Sequence, residues 1–283
     1  MGPLVEPGWL RERLGEPGLQ VVDCRFKLGE PGAGERLWLD GHIPGASYLD
    51  LDRDLAGEPG ERGRHPLPEP AAFEAAACRA GISADTLVVA YDEAAEGGAA
   101  RLWWLLRHFG HDEVTVLNGG LAGWRAEGGA LERGERGQVL HSSSDARMQD
   151  LTPFTASAGR GGPIELAEIA DGGGPLLLDA RVPERYRGET EPIDAVAGHI
   201  PGAHNLPANE LAPGGRFLEP DELRARFDAA GASSAAELGA YCGSGVAACV
   251  TVLASELAGL GQARLYPGSW SEWSRRGLPV ARQ

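Results

Sequence analysis

Short apolar runs recur along the chain, each followed by turn residues and then by a stretch with helical spacing. LQVVDCR (19–25) and TLVVAYD (86–92) lie in the first half, PLLLDAR (175–181) and ELGAYC (237–242) in the second. Runs this short, rich in valine and leucine and bounded by Gly, Pro or Asp, fit the buried strands of a parallel sheet. RLWWLLRHF (101–109) and AACVTVLASELAGL (247–260) are longer and carry their apolar residues at helical spacing. Strands alternating with helices predict an α/β fold, with parallel sheets flanked by helices.

The pattern is written twice. GHIPGA occurs at 41–46 and again at 198–203, an offset of 157 residues. The strand before each copy ends in Asp-x-Arg, at Asp23 and Arg25 and at Asp179 and Arg181, offset by 156. Each half closes on a Gly- and Trp-rich turn, LNGGLAGW ending at Trp124 and YPGSWSEW ending at Trp273. Landmarks in one order at a nearly constant offset predict a duplicated unit. The expected organisation is an N-terminal domain over 1–130, a linker over 131–154 and a C-terminal domain over 155–283. The linker expectation rests on RGERGQVLHSSSDARMQDLTPF (133–154), which is polar, serine-rich and aperiodic.

At 283 residues the chain has room for two ordinary domains. Its 41 acidic against 26 basic residues give a net charge of −15, which argues against nucleic acid or an anionic membrane as a partner. A small anionic substrate then needs arginines placed locally, because the overall field repels it. No apolar run approaches the roughly 18 residues that span a bilayer, and MGPLVEPGWLRERL lacks the basic-then-apolar order of a leader. Four scattered cysteines (Cys24, Cys78, Cys242 and Cys249) make no disulfide framework, so a cytoplasmic location is expected.

The candidate chemistry sits in AYCGSGVAACV (240–250). Aligning the second strand of each half sets Asp92 opposite Cys242, at an offset of 150. The first half continues as DEAAEGGAARLWW, read as acidic and longer, where the second has CGSGVAAC. A purely structural turn has no evident reason to diverge so sharply between similar flanks. Ligands bind beyond the carboxyl ends of strands in such sheets, and Cys242 is at one of those ends. The amides of residues 243–247 and the helix that follows favour thiolate over thiol, and Gly243 and Gly245 allow the curl with positive φ. A phosphatase loop needs arginine after five intervening residues, where Ala248 stands, and a dithiol oxidoreductase needs its cysteines two residues apart. Cys249 is expected to be a small buried side chain, and Cys24 and Cys78 core or helix-face residues. His42 and His199 occur in both halves and are expected to be structural. The twin Asp-x-Arg pairs are expected to be internal salt bridges, and Trp103, Trp104, Trp124, Trp270 and Trp273 to be packing residues.

GHIPGA in both halves, RLWW, GGLAGW, RYRGE, CGSGV and GSWSEW, in that order, make the whole chain similar to the rhodanese superfamily. More narrowly, it resembles the two-domain mercaptopyruvate and thiosulfate sulfurtransferases. The resemblance implies two tandem rhodanese-like domains, the first catalytically silent and the second active. It implies ping-pong transfer through a Cys242 persulfide, from a small anionic sulfur donor to a thiol, a thioredoxin-like protein or cyanide, with no metal or organic cofactor. It implies a serine two residues after the cysteine, here Ser244, working with a histidine and an aspartate that match His65 and Asp52 by position. The loop Gly243-Ser244-Gly245-Val246-Ala247 has no cation, as in the mercaptopyruvate type, with Ala247 where threonine is usual. Arg185 matches one arginine of the family's carboxylate clamp. The second has no counterpart, since Ile193 and Asp194 occupy that region. The uncharged loop makes mercaptopyruvate the expected donor, while the missing arginine argues against it and leaves thiosulfate as the alternative. A non-catalytic persulfide-sensing module is the reading from another class, separated by its lack of turnover.

Overall fold

The four apolar runs form the central strands of two parallel sheets in the computed structural model, which describes residues 2–134, 152–160, 162–232 and 237–282. One compact unit comprises Met1–Gly57, Pro68–Arg160 and Gly214–Arg216; the other comprises Glu58–Leu67, Gly161–Pro213 and Phe217–Gln283. Each unit thus takes in a short stretch from the other half of the sequence.

The first unit runs β1 (Leu4–Val5), α1 (Pro7–Arg13), β2 (Leu19–Asp23), α2 (Ala33–Asp40), β3 (Ser47–Tyr48), α3 (Pro70–Arg79), β4 (Leu87–Tyr91), α4 (Gly98–His108), β5 (Val114–Leu117) and α5 (Gly120–Ala126). Its strand order is β1-β5-β4-β2-β3, every pair parallel. The second unit runs α6 (Leu166–Ile169), β6 (Leu176–Asp179), α7 (Pro183–Tyr186), β7 (His204–Asn205), α8 (Ala208–Leu211), α9 (Pro220–Ala229), β8 (Leu238–Tyr241), α10 (Ala248–Leu257), β9 (Arg264–Leu265) and α11 (Ser269–Arg275). Its strand order is β7-β6-β8-β9, again parallel throughout. The Gly- and Trp-rich segments expected as turns are helical, forming α5 and α11. Most of the expected linker, residues 135–151, lies outside the described residues. Residues 152–160 pack with the first unit, where the Ala84 amide donates to the Thr152 carbonyl at 2.9 Å.

The GHIPGA turns are wired into the sheets by the same bonds in both units. Register sets Asp23 beside Tyr91 and Asp179 beside Tyr241. Arg25 and Arg181 each grip their aspartate at 2.6 Å and donate to the carbonyl of Gly41 or Gly198 at 2.8 Å. The tyrosine hydroxyls accept the Ile43 and Ile200 amides, each at 3.2 Å. His42 and His199 are structural, as expected: His42 stacks on Trp38 and bonds its carbonyl, and His199 does the same with Tyr186. All five tryptophans named above are buried.

The loops after β4 and β8 are equal in length, since α4 and α10 both begin six residues after Asp92 and Cys242. The first-half loop differs in charge, not in size. Its amides converge on the Asp92 side chain, with Gly97 N–H at 3.0 Å and Ala99 N–H at 3.2 Å from Oδ2. Burial raises the Asp92 carboxyl above its ordinary value while the loop amides pull it back down. The Asp92 side chain thus fills the cradle of the first unit. Removing it in Asp92→Ala orphans buried amides and should destabilise the chain by about 2 kcal/mol. Asp92→Asn keeps an acceptor oxygen and should lose less, a ranking that thermal melts of the two variants will check.

Candidate active site

Cys242 follows the last residue of β8 and is 4 % exposed. Its backbone is stapled to the start of α11. The Cys242 amide donates to Ser269 Oγ at 3.1 Å, and its carbonyl accepts the Trp270 amide at 3.0 Å. The Gly243 carbonyl accepts Ser271 N–H at 2.9 Å. Ser269 holds a φ of +53°, rare for a residue with a side chain, and its hydroxyl also donates to the Tyr266 carbonyl. The first unit makes the equivalent backbone pairs, Leu121 to Asp92 and Ala122 to Glu93, with Gly120 in the left-handed position.

Within the loop, Gly245 has a φ of +76°, and a Cβ there would sit 2.5 Å from the Pro267 carbonyl oxygen, so glycine is required. Gly243 does not adopt the expected positive φ; a Cβ on it would lie 3.2 Å from Arg64 Nη2 and 3.5 Å from Arg185 Nη2. A side chain there would crowd only the Arg64 guanidinium and would be in ordinary contact with Arg185. Val246 is buried, and Ala247 caps α10. The Cys249 thiol is fully buried and donates to the Gly245 carbonyl at 3.4 Å, behind the loop. Burial, reinforced by the nearby Asp23 and Asp92 carboxylates, pushes the Cys24 thiol well up, which makes it inert. Burial also raises the Cys78 thiol, which donates to the Phe154 carbonyl.

Ser244 and His65 meet. Ser244 Oγ and His65 Nδ1 are 2.8 Å apart, and both residues are buried. His65 belongs to Glu58–Leu67, the stretch that packs with the second unit. That stretch is anchored on α11: the Arg64 amide donates to Ser271 Oγ at 3.0 Å, and Arg275 donates to the Gly60 carbonyl at 2.8 Å. Helix α11 therefore places both the cysteine loop and the histidine. Asp52 lies in the first unit, in the loop after β3, where its amide donates to Asp50 Oδ1 at 3.0 Å. It is not part of the cluster that the second unit assembles by itself.

Arg185 is on α7 and holds Glu191 with two bonds, Nη2 to Oε1 at 2.6 Å and Nε to Oε2 at 3.1 Å. Burial works against the charge of Glu191, but Arg185 and the Asp194 amide keep its carboxyl below the ordinary value. Arg64, which sequence reasoning did not single out, bonds Asp194 at 2.6 Å. The sequence signal for it was the duplication: Gly63-Arg64 stands four residues ahead of the Glu-Pro that opens α3, and Gly215-Arg216 two residues ahead of the one that opens α9. Among the described residues, no three His, Cys, Asp or Glu side chains gather as a metal ion requires, and no helix is long and apolar enough to cross a membrane.

The architecture and its cysteine loop have counterparts. The rhodanese-like domain model matches residues 6–127 and again 163–276. The chain belongs to the rhodanese family. This rhodanese is 46 % identical over 272 residues to the "Probable 3-mercaptopyruvate sulfurtransferase" of Pseudomonas aeruginosa, covering 93 % of this chain and 92 % of that one. It is 44 % identical over 266 residues to Mycobacterium tuberculosis SseB, which bears a thiosulfate sulfurtransferase name, covering 93 % and 89 %. Among solved structures, the 3-mercaptopyruvate sulfurtransferase SseA of Escherichia coli superposes with a TM-score of 0.79 at 33 % identity, covering 96 % of this chain and all of that one. The two sequence relatives carry names for different donors, so donor choice has to be argued from the site.

Proposed function

We propose that this rhodanese is a sulfurtransferase that moves one sulfur atom from 3-mercaptopyruvate to a thiol or cyanide acceptor, through a persulfide on Cys242. The observation that carries the reading is a cysteine loop without a cation, with Ser244 set 2.8 Å from His65. The Cys242 thiolate attacks the donor sulfur. The Sγ–S bond forms, the bond from sulfur to C3 breaks, and its electron pair passes to C3 as the enolate of pyruvate. Sulfur is oxidised to the sulfane level and C3 is reduced, so no outside redox partner is needed. His65 and Ser244 relay the proton that converts the enolate to pyruvate. Asp52 is the third residue of the relay that the resemblance assigns by position in the sequence. In the second half-reaction an acceptor thiolate, a thioredoxin-like dithiol or cyanide takes the outer sulfur and releases the Cys242 thiolate. No metal or organic cofactor enters either step.

The loop amides of residues 243–247 are the parts that hold thiolate and persulfide charge. The first unit supports this assignment, because a loop of equal length there closes its amides on the Asp92 carboxylate. A cradle already filled by a carboxylate leaves no room for a sulfur, so the N-terminal domain is silent in this reading. The four cysteines are free, in keeping with a reducing, cytoplasmic setting.

The deciding assay sets mercaptopyruvate against thiosulfate at fixed cyanide, with the Cys242→Ser variant as blank. Mercaptopyruvate should have the higher kcat/KM by about tenfold or more, which is about 1.4 kcal/mol of transition-state preference. A preference for thiosulfate by the same margin would transfer the assignment to that donor. Persulfide formation without turnover would favour a sensing module.

A further inference from the structure

The cysteine loop and the stretch that carries His65 meet on one residue of α11. We infer that Ser271 is a positioning residue for sulfur transfer, its hydroxyl fixing the backbone of that stretch so that the imidazole stays on Ser244. The inference rests on the proposed sulfurtransferase reading and deepens it. The Ser271 amide donates to the Gly243 carbonyl at 2.9 Å, one residue after the cysteine. Its Oγ accepts the Arg64 amide at 3.0 Å, one residue before the histidine. Ser244 Oγ and His65 Nδ1, 2.8 Å apart, close the ring of bonds through loop, helix and stretch. Ser271 is 2 % exposed, and Ser244 and His65 are buried with it.

Both bonds of the hydroxyl are assigned. It donates to the Gly268 carbonyl at 3.0 Å, three residues back, which aims a lone pair at the Arg64 amide. The stretch comes this close only because residue 63 is glycine. Its φ is +100°, and a Cβ on it would lie 2.7 Å from the Gly268 carbonyl oxygen and 2.9 Å from Ser271 Oγ. Gly60 and Gly63 exchange amide-to-carbonyl bonds of 3.0 and 3.1 Å, which close the turn just ahead of it.

The first unit shows what the loop after the strand can do without. Aligned on Trp124 and Trp273, Gly120, Leu121, Ala122 and Gly123 stand opposite Ser269, Trp270, Ser271 and Glu272. The backbone staple is the same in both, since Leu121 to Asp92 and Ala122 to Glu93 match Trp270 to Cys242 and Ser271 to Gly243. Ala122 holds its loop without a hydroxyl. What the hydroxyl of Ser271 adds is the bond to Arg64. Its loss takes that acceptor from the Arg64 amide and releases His65 from the geometry that proton transfer needs, where a misplacement of about 1 Å costs on the order of 100-fold in rate.

The test is a double-mutant cycle on the full chain, with Ser271→Ala, His65→Ala and the pair assayed on mercaptopyruvate and cyanide. Ser271→Ala should lower kcat by about 10- to 100-fold and change KM by less than about threefold. In the His65→Ala background the same change should cost less than about threefold, because the group it positions is already gone. Gly63→Ala pushes the stretch off α11 from the other side; it should give the same pattern, and it decides alone if Ser271→Ala does not fold. Thiosulfate releases sulfite, which takes no proton at carbon, so its turnover by Ser271→Ala should fall less than about threefold. Losses that multiply in the double variant, or equal losses with both donors, overturn the inference. If the wild type turns over neither donor faster than Cys242→Ser, the functional reading has failed. NMR of the histidine rings then judges the positioning alone: shifted His65 ring signals in Ser271→Ala uphold it, and unchanged signals overturn it.

Discussion

Cys242→Ser should bring sulfur transfer down to the rate without protein for every donor, a loss on the order of 10⁴-fold or more in kcat/KM. Serine is nearly isosteric, but its hydroxyl is not ionised near neutral pH and an alkoxide forms no persulfide. The fold should survive, because the bonds that fix residue 242 are made by its backbone, to Ser269 Oγ and from the Trp270 amide. Wild-type protein treated with donor should gain the mass of one sulfur atom, and Cys242→Ser should not. Cys249→Ser is the matched control and should keep both the mass gain and most of the turnover, since the Cys249 thiol is buried and committed to the Gly245 carbonyl. Turnover by Cys242→Ser clearly above the rate without protein would move the nucleophile elsewhere.

What could be read from the sequence was what local pattern or repetition encodes. The strands, the twin Asp-x-Arg pairs and the cysteine at a strand end each depend on residues close in sequence, and all appear in the fold. The duplication added a comparison that exposed the divergence of Asp92 and Cys242. Arg64 and Asp194 are 130 residues apart, and no periodicity or motif links them. Gly243 shows the same limit in miniature: a glycine in a tight loop reads as a backbone requirement, yet its contacts are with guanidinium groups brought from elsewhere. The loop after Asp92 reads as longer than it is for a different reason. Acidic residues and paired glycines resemble an extended turn, but the helix starts at Gly98 all the same, because Asp92 satisfies the amides at its head.

Asp179→Ala should be the most destabilising single change in the second unit, at about 3–5 kcal/mol. Asp179 is fully buried, and Arg181, only slightly exposed, lies over the Trp270 ring with its guanidinium 4.8 Å from the ring centre. Burial opposes the charge on Arg181, and Asp179 more than offsets it, holding the guanidinium above its ordinary value. Without Asp179 the guanidinium keeps Glu191 at 3.3 Å and the Gly198 carbonyl at 2.8 Å, which leaves its strongest bonds unmade. The damage should reach the cysteine as well, because Asp179 pairs in register with Tyr241, the residue before Cys242. Urea unfolding read by tryptophan fluorescence should show the midpoint of the second unit falling by more than about 1 M. The twin change Asp23→Ala should do the same to the first unit, whose Arg25 is likewise buried and paired at 2.6 Å. Replacing both partners by apolar residues of similar volume, Asp179→Leu with Arg181→Met, should return much of the lost stability, since it removes the unpaired charge as well as the pair. A double variant no more stable than Asp179→Ala would show that the GHIPGA turn depends on the arginine's bond to Gly198, not on balancing a buried charge.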